Sequence, residues 1–294
     1  MKAFIFPGQG SQFVGMAAEL YKSDKSVKIR FDQADNILGY SLTEIMFNGP
    51  SDTLMQTKFT QPAIFLHSVA LFETLNETPD MAAGHSLGEF SALVASGAMD
   101  FESALELVAL RGKLMQEAGS VYEGTMAAII GMDDESVDQI CVDAEKTVGK
   151  PVVPANYNCP GQLVISGDKD AVDKAIELAK ERGCRLAKNL PVSGAFHSPL
   201  MKPALEGLKD ELEKVRIEKP VCPVYSNYTA MPSKDTEKIR ENLVNQLTNP
   251  VQWTKTMMNM YSDGARSFIE VGPGKVLQGL VKRTLSDVEI DGYQ

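Results

Sequence analysis

Residues that carry chemistry are scarce in this chain of 294, which holds three histidines, four cysteines and one tryptophan. The cysteines (Cys141, Cys159, Cys184 and Cys222) lie far apart and form no CxxC pair. With no secretory signal, they are expected as reduced thiols of a cytoplasmic protein rather than as a disulfide framework or a metal site. Long apolar runs are missing too. The N-terminal "MKAFIFPGQGSQ" is stopped by Pro7 and Gly8, too soon for a signal-peptide core or a membrane span, and reads as a first strand ending in a turn. No repeat or low-complexity segment occurs. Positive charge is in deficit: the net charge of −10 excludes a general nucleic-acid binder, which needs a basic surface. At 44% hydrophobic and 23% charged residues the chain is not disordered, and its length suits one large domain or two moderate ones.

What is there has an α/β texture. "KAFIFPGQG" reads as a buried strand entering a glycine-rich loop. "FTQPAIFLHSVALFETL" reads as a central helix with Thr60 as N-cap and Pro62 in its first turn. "MAAGH" is a short strand, "LGEFSALVASG" a helix, and "DFESALELVALRGKLMQEAG" a helix from Asp100 to a stop at Gly119. From Gly124 the order becomes strand, helix, strand, strand, helix, strand, ending at "CRLAKNL", the split order of a ferredoxin-like unit. Residues 124–190 are therefore expected as a small inserted ferredoxin-like α+β domain. Residues 1–123 and 191–294 are expected as a large α/β domain with a parallel sheet.

"GHSLG" around Ser86 fits the G-x-S-x-G elbow, in which a strand turns sharply into a helix and leaves a hydroxyl exposed beside free N–H groups. Such a serine needs a base, and histidine is the usual one near neutral pH. His67 lies in an apolar helix and reads as a core residue, while His85, adjacent in a strand, points to the opposite face from Ser86. His197, in "LPVSGAFHSPL", remains. No carboxylate stands in a motif that recommends it as a triad acid. A neutral acceptor, an amide oxygen or a main-chain carbonyl, is the alternative, and Gln246 in "LVNQLTNPVQW" is equally readable as that support or as a solvated helix residue.

The helix from Asp100 carries a buried stripe of Ala104, Leu107, Val108, Leu114, Met115 and Ala118, and Arg111 falls in its middle. A guanidinium cannot be neutralised, so an anion is expected to meet it. The pattern leaves open an internal salt bridge, a side chain reaching the rim, or a carboxylate brought by the substrate.

"FPGQGSQ", "GHSLGE", "LRGKLMQ", "NYNCPGQLVISG", "LPVSGAFHSPLM", "QLTNPVQW" and "EVGPGKVLQGL", in this order from the first strand to the last helix, resemble the malonyl-CoA:acyl-carrier-protein transacylases of bacterial fatty acid synthesis. The resemblance implies a hydrolase-like α/β domain with a ferredoxin-like insertion and an active site in the cleft between them. It implies Ser86 as nucleophile, His197 as base and Gln246 as its support. Arg111 would hold the free malonyl carboxylate, and Gln9 with the main-chain N–H of Leu87 would form the oxyanion hole. Phe196 would fill the space that a branching methyl needs. Asn156 and Asn158 fall in the family's cleft-facing motif. Malonyl-CoA, a coenzyme A thioester, would be the substrate and acyl carrier protein the partner, with no permanently bound cofactor, no metal, no nucleic acid, no membrane, and a monomer as the expected state.

Three other readings stand beside this one. A stand-alone acyltransferase of polyketide synthesis would share every motif. A serine esterase or thioesterase would share the elbow and base but would not need Arg111. An acyl-CoA-binding scaffold would need neither. Lys180, Arg182, Arg185 and Lys188, a basic cluster before the His197 loop, read either as a docking patch for an acidic carrier or as a solvated helix end. "GPGKVL" lacks the spacing of a phosphate loop.

Overall fold

The computed structural model describes residues 1–192 and 194–294; residue 193, in the loop expected to carry the base, lies outside the described residues. The strands are β1 (Lys2–Phe6), β2 (Met81–Gly84), β3 (Gly124–Ile130), β4 (Val152–Cys159), β5 (Gln162–Asp168), β6 (Leu186–Asn189), β7 (Val224–Tyr225), β8 (Pro232–Ser233), β9 (Ser267–Val271) and β10 (Glu289–Tyr293). They form a six-stranded sheet in the order β10-β9-β1-β2-β7-β8 and a four-stranded sheet in the order β4-β5-β3-β6. The first is parallel except at its β7–β8 edge, and the second is antiparallel throughout. This is a mixed α/β protein, as the alternation of periods in the sequence indicates.

The parallel sheet is buried on both faces, which is why β1 reads as a continuous apolar run rather than an alternating one. Phe4 and Phe6 join one core cluster, where both meet Phe72 edge-on at 5.4 and 5.8 Å between ring centres. Ala3 and Ile5 face the other, beside Trp253 and Phe268. The helix bearing Phe72 is buried from Thr60 to Phe72. It begins at Thr57 with Gln56 as N-cap, earlier than expected, so that Pro62 lies inside it. Thr60 does not cap it. Its hydroxyl donates back to the carbonyl of Leu54 at 2.5 Å. The next long helix runs Phe101–Val121 under an Asp100 cap and continues two residues beyond Gly119, so this glycine does not end it.

The four-stranded sheet packs against the helices Asp134–Val148 and Lys169–Glu181 around its own cluster, which includes Ile129, Ile140, Leu163 and Val172. Main-chain bonds from Tyr157 N to Val251 O (2.9 Å) and from Val251 N to Ala155 O (2.8 Å) tie β4 to the segment that precedes Trp253. They set the second sheet against the carboxyl ends of β1 and β2, where ligands of open α/β sheets bind. No helix of the described residues is long and apolar enough to cross a membrane.

Candidate active site

The elbow is built by close approach. A Cβ on Gly84 would come within 1.8 Å of the carbonyl carbon of Gly88, and one on Gly88 within 2.1 Å of the Phe6 carbonyl oxygen. Only hydrogen fits at either position, so the strand can fold directly into the helix Gly88–Ala95. Ser86 between them holds φ 53°, a left-handed conformation costly for a side-chain-bearing residue, and His197 shares it at φ 56°. Both are pinned by long-range bonds, as such backbone requires.

Ser86 Oγ lies 2.8 Å from His197 Nε2. His197 Nδ1 lies 2.9 Å from the main-chain carbonyl oxygen of Gln246. A carbonyl only accepts, so Nδ1 carries the proton and the lone pair of Nε2 faces the serine hydroxyl. The imidazole is buried, and that burial, with the Arg111 charge beside it, lowers its pKa to about 3; at neutral pH it is a free base. Gln246 thus supports the base through its main chain, while its side chain does something else.

Arg111 is 1% exposed, and no carboxylate forms an ion pair with it among the described residues. Neutral oxygens meet it instead. Nη1 donates to Gln61 Oε1 at 2.7 Å, and Nη2 donates to Gln246 Oε1 at 2.9 Å and to Ser86 Oγ at 3.1 Å. Its Nε has no partner among the described residues. Burial lowers the guanidinium to about 10, opposed by the charge of Glu89, so it stays cationic. The serine oxygen therefore receives a guanidinium bond while it donates to His197.

These groups open on a cleft of about 440 Å³ that is lined by the segments following β1 and β2 and by strands of the four-stranded sheet. Gln9 and Leu87 border it beside Ser86, with the Gln9 amide 3.5 Å from the Thr57 hydroxyl. Phe196, 5% exposed, forms part of its wall, as do Met115, Met126 and Val164. Asn156 and Asn158 line it from β4. Asn158 Oδ1 meets His85 Nε2 at 2.8 Å, which engages His85 away from the serine, while burial lowers the pKa of that ring. His67 is buried in its helix as expected, yet neither ring nitrogen has a partner among the described residues, and burial takes its pKa down to about 4.

Of the expected stripe on the Phe101–Val121 helix, Leu114 is only half-buried and the rest is buried. The four cysteines are free. Of the basic cluster, Arg182 is paired to Asp143 at 2.5 Å, and all four side chains are exposed.

Three further polar residues of the site were given no role by the sequence. Gln61 stands before Pro62 in an apolar helix and is 1% exposed. Glu89, in the elbow motif itself, is 3% exposed, and burial raises its carboxyl to about 7 against the opposing donors Asn227 N and Gln246 Nε2 and the Arg111 charge. Asn227 accepts from Ser86 N at 2.6 Å and has no sequence signal.

Residues 3–292 match the family model described as "Acyl transferase domain". The malonyl CoA-acyl carrier protein transacylase of Bacillus subtilis (strain 168) is 48% identical over 284 residues, covering 96% of this chain and 89% of the relative. The crystal structure of an acyl carrier protein S-malonyltransferase from Vibrio cholerae O1 superimposes with a TM-score of 0.94 at 44% identity, covering 100% of this chain and 96% of that one. A malonyl-transacylase solved in complex with its type II PKS acyl-carrier protein gives a TM-score of 0.95 at 42% identity, with 99% of this chain and 95% of that one covered. The match to the family model over residues 3–292, with relatives 48% and 44% identical over nearly the whole chain, places this protein in the acyl transferase family, among the malonyl CoA-acyl carrier protein transacylases.

Proposed function

We propose that this protein moves a malonyl group from malonyl-CoA to the phosphopantetheine thiol of acyl carrier protein, through an ester on Ser86. The observation that carries this reading is Arg111: a buried cation without a carboxylate partner among the described residues, 3.1 Å from the Ser86 hydroxyl oxygen. A substrate whose acyl group ends in a carboxylate completes that site, and an acetyl group does not.

In the first half-reaction Ser86 Oγ attacks the thioester carbonyl and passes its proton to His197 Nε2. The C–S bond breaks and coenzyme A leaves with that proton as the free thiol. In the second, the carrier's thiol gives its proton to His197, its sulfur attacks the serine ester, and the alkoxide of Ser86 takes the proton back. The side-chain amide of Gln9 and the main-chain N–H of Leu87, both bordering the cleft at Ser86, stabilise the oxyanion in each half. Arg111 holds the distal carboxylate so that the ester meets the incoming thiol already oriented. Phe196 occupies the space that an α-methyl branch would enter.

The same reading takes 124–190 as an inserted ferredoxin-like unit and 1–123 with 191–294 as the larger one. The separate core of the four-stranded sheet supports it. The malonyl carrier so formed feeds fatty acid chain elongation. A polyketide carrier presents the same thiol, as in the solved complex named above.

Incubation with malonyl-CoA, with and without holo-carrier, tests the reading. Malonyl-carrier and stoichiometric coenzyme A are expected when the carrier is present, with negligible free malonate when it is not. Steady release of malonate without carrier would make the protein a hydrolase.

A further inference from the structure

We propose that Glu89 is a positioning residue that fixes the nucleophile Ser86 through both its main-chain N–H and its carbonyl. Its carboxylate is buried on the first turn of the helix Gly88–Ala95. One oxygen, Oε2, accepts two bonds, from Asn227 N at 3.0 Å and from Gln246 Nε2 at 2.8 Å. Each of these partners grips Ser86. Asn227 Oδ1 accepts from Ser86 N at 2.6 Å, and Gln246 Nε2 donates to the Ser86 carbonyl at 3.0 Å. Asn227 Nδ2 donates to the Gly84 carbonyl at 2.6 Å, so its amide spans the elbow.

The carboxylate also fixes which way the Gln246 amide faces. With Nε2 given to Glu89 and to Ser86 O, Oε1 must face Arg111 Nη2, where it accepts at 2.9 Å. The flipped amide would set Nε2 against the guanidinium and Oε1 against two acceptors, which no arrangement of protons satisfies. A serine at φ 53° stays there only when its surroundings over-determine it. Glu89 is the group to which both of its restraints return.

This inference rests on Ser86 being the nucleophile, and the test separates the two. Ser86 is labelled with a small neutral phosphonofluoridate, which requires the serine and its base but neither Arg111 nor a malonyl group. Labelling is compared with steady-state malonyl transfer in wild type, Glu89→Ala and Glu89→Gln. Displacing the oxygen by about an ångström costs on the order of 100-fold, so Glu89→Ala is expected to slow labelling and kcat by about that factor while KM for malonyl-CoA stays within roughly 3-fold. Glu89→Gln keeps one acceptor oxygen without its charge and is expected to label about 5- to 10-fold more slowly than wild type, well above Glu89→Ala. A folded Glu89→Ala protein that labels within roughly 3-fold of wild type overturns the inference, as does a loss confined to KM. Should the alanine variant not fold, the glutamine variant decides: labelling slowed about 5- to 10-fold supports the role, and labelling within roughly 2-fold of wild type overturns it. A wild-type protein that takes no label at Ser86 removes the reading of the site itself.

Discussion

The imidazole of His197 is oriented by the main-chain carbonyl of Gln246, 2.9 Å from Nδ1, and among the described residues neither a carboxylate nor the glutamine side chain takes that place. A main-chain acceptor fixes the tautomer as an aspartate would, without placing a negative charge beside the base. It also divides Gln246 into a main chain that holds the imidazole and a side chain that bonds other groups. Gln246→Ala leaves the bond to His197 in place and removes the side-chain bonds to Arg111, Glu89 and Ser86 O. We expect kcat/KM for malonyl-CoA to fall about 10- to 100-fold in Gln246→Ala and about 1,000-fold or more in His197→Ala. Equal losses in the two would show that the glutamine side chain carries the base.

Arg111 is legible from sequence because a charge inside a helical stripe contradicts its surroundings, and the structure removes two of the three readings left open there. The side chain neither reaches the rim nor finds an acid within ion-pair distance among the described residues. Arg111→Ala is expected to lower malonyl kcat/KM by about 100-fold, the equivalent of a strong charge-assisted bond in a buried site, and acetyl-CoA use by less. The ratio of the two substrates, measured by competition, checks it; an unchanged ratio removes the arginine from selectivity.

Much else could be read the same way. Ser86 is marked by glycines that the elbow needs, and His197 emerges by elimination because the chain has only three histidines. The strand and helix order follows from runs and periods. The misses have a common cause. Gln61, Glu89 and Asn227 act through partners 50, 138 and 141 residues away, and separations of that size leave no local pattern. The Thr57 start was missed because Gln56 caps without a side-chain bond, and a threonine four residues from it had the better capping chemistry.

The glycine claim is testable on stability. A Cβ at Gly84 would overlap Gly88 main chain, and neither partner can move without breaking the elbow. Gly84→Ala is expected to cost more than about 4 kcal/mol and to yield little folded protein, seen in a urea titration or as loss of soluble protein. A soluble variant with wild-type melting would contradict the packing described.

His67 gives a pH dependence of known sign. Its folded pKa of about 4 lies below the ordinary imidazole value of 6.5, so the unfolded chain binds the proton more tightly. Its contribution is complete above pH 6.5 and is lost as pH falls toward 4. His67→Leu removes the titration along with two unpartnered ring nitrogens, and the stability of wild type relative to this variant should fall by about 2 kcal/mol between pH 7 and pH 5. Parallel pH profiles for the two proteins would place a proton acceptor beside the ring.

Mass spectrometry of the protein after brief exposure to malonyl-CoA, with the adduct located by peptide mapping, tests the central claim most directly. One malonyl group is expected, on Ser86, absent in Ser86→Ala and discharged when holo-carrier is added. A protein that stays unmodified while the carrier is malonylated, or an adduct on any other residue, would contradict it.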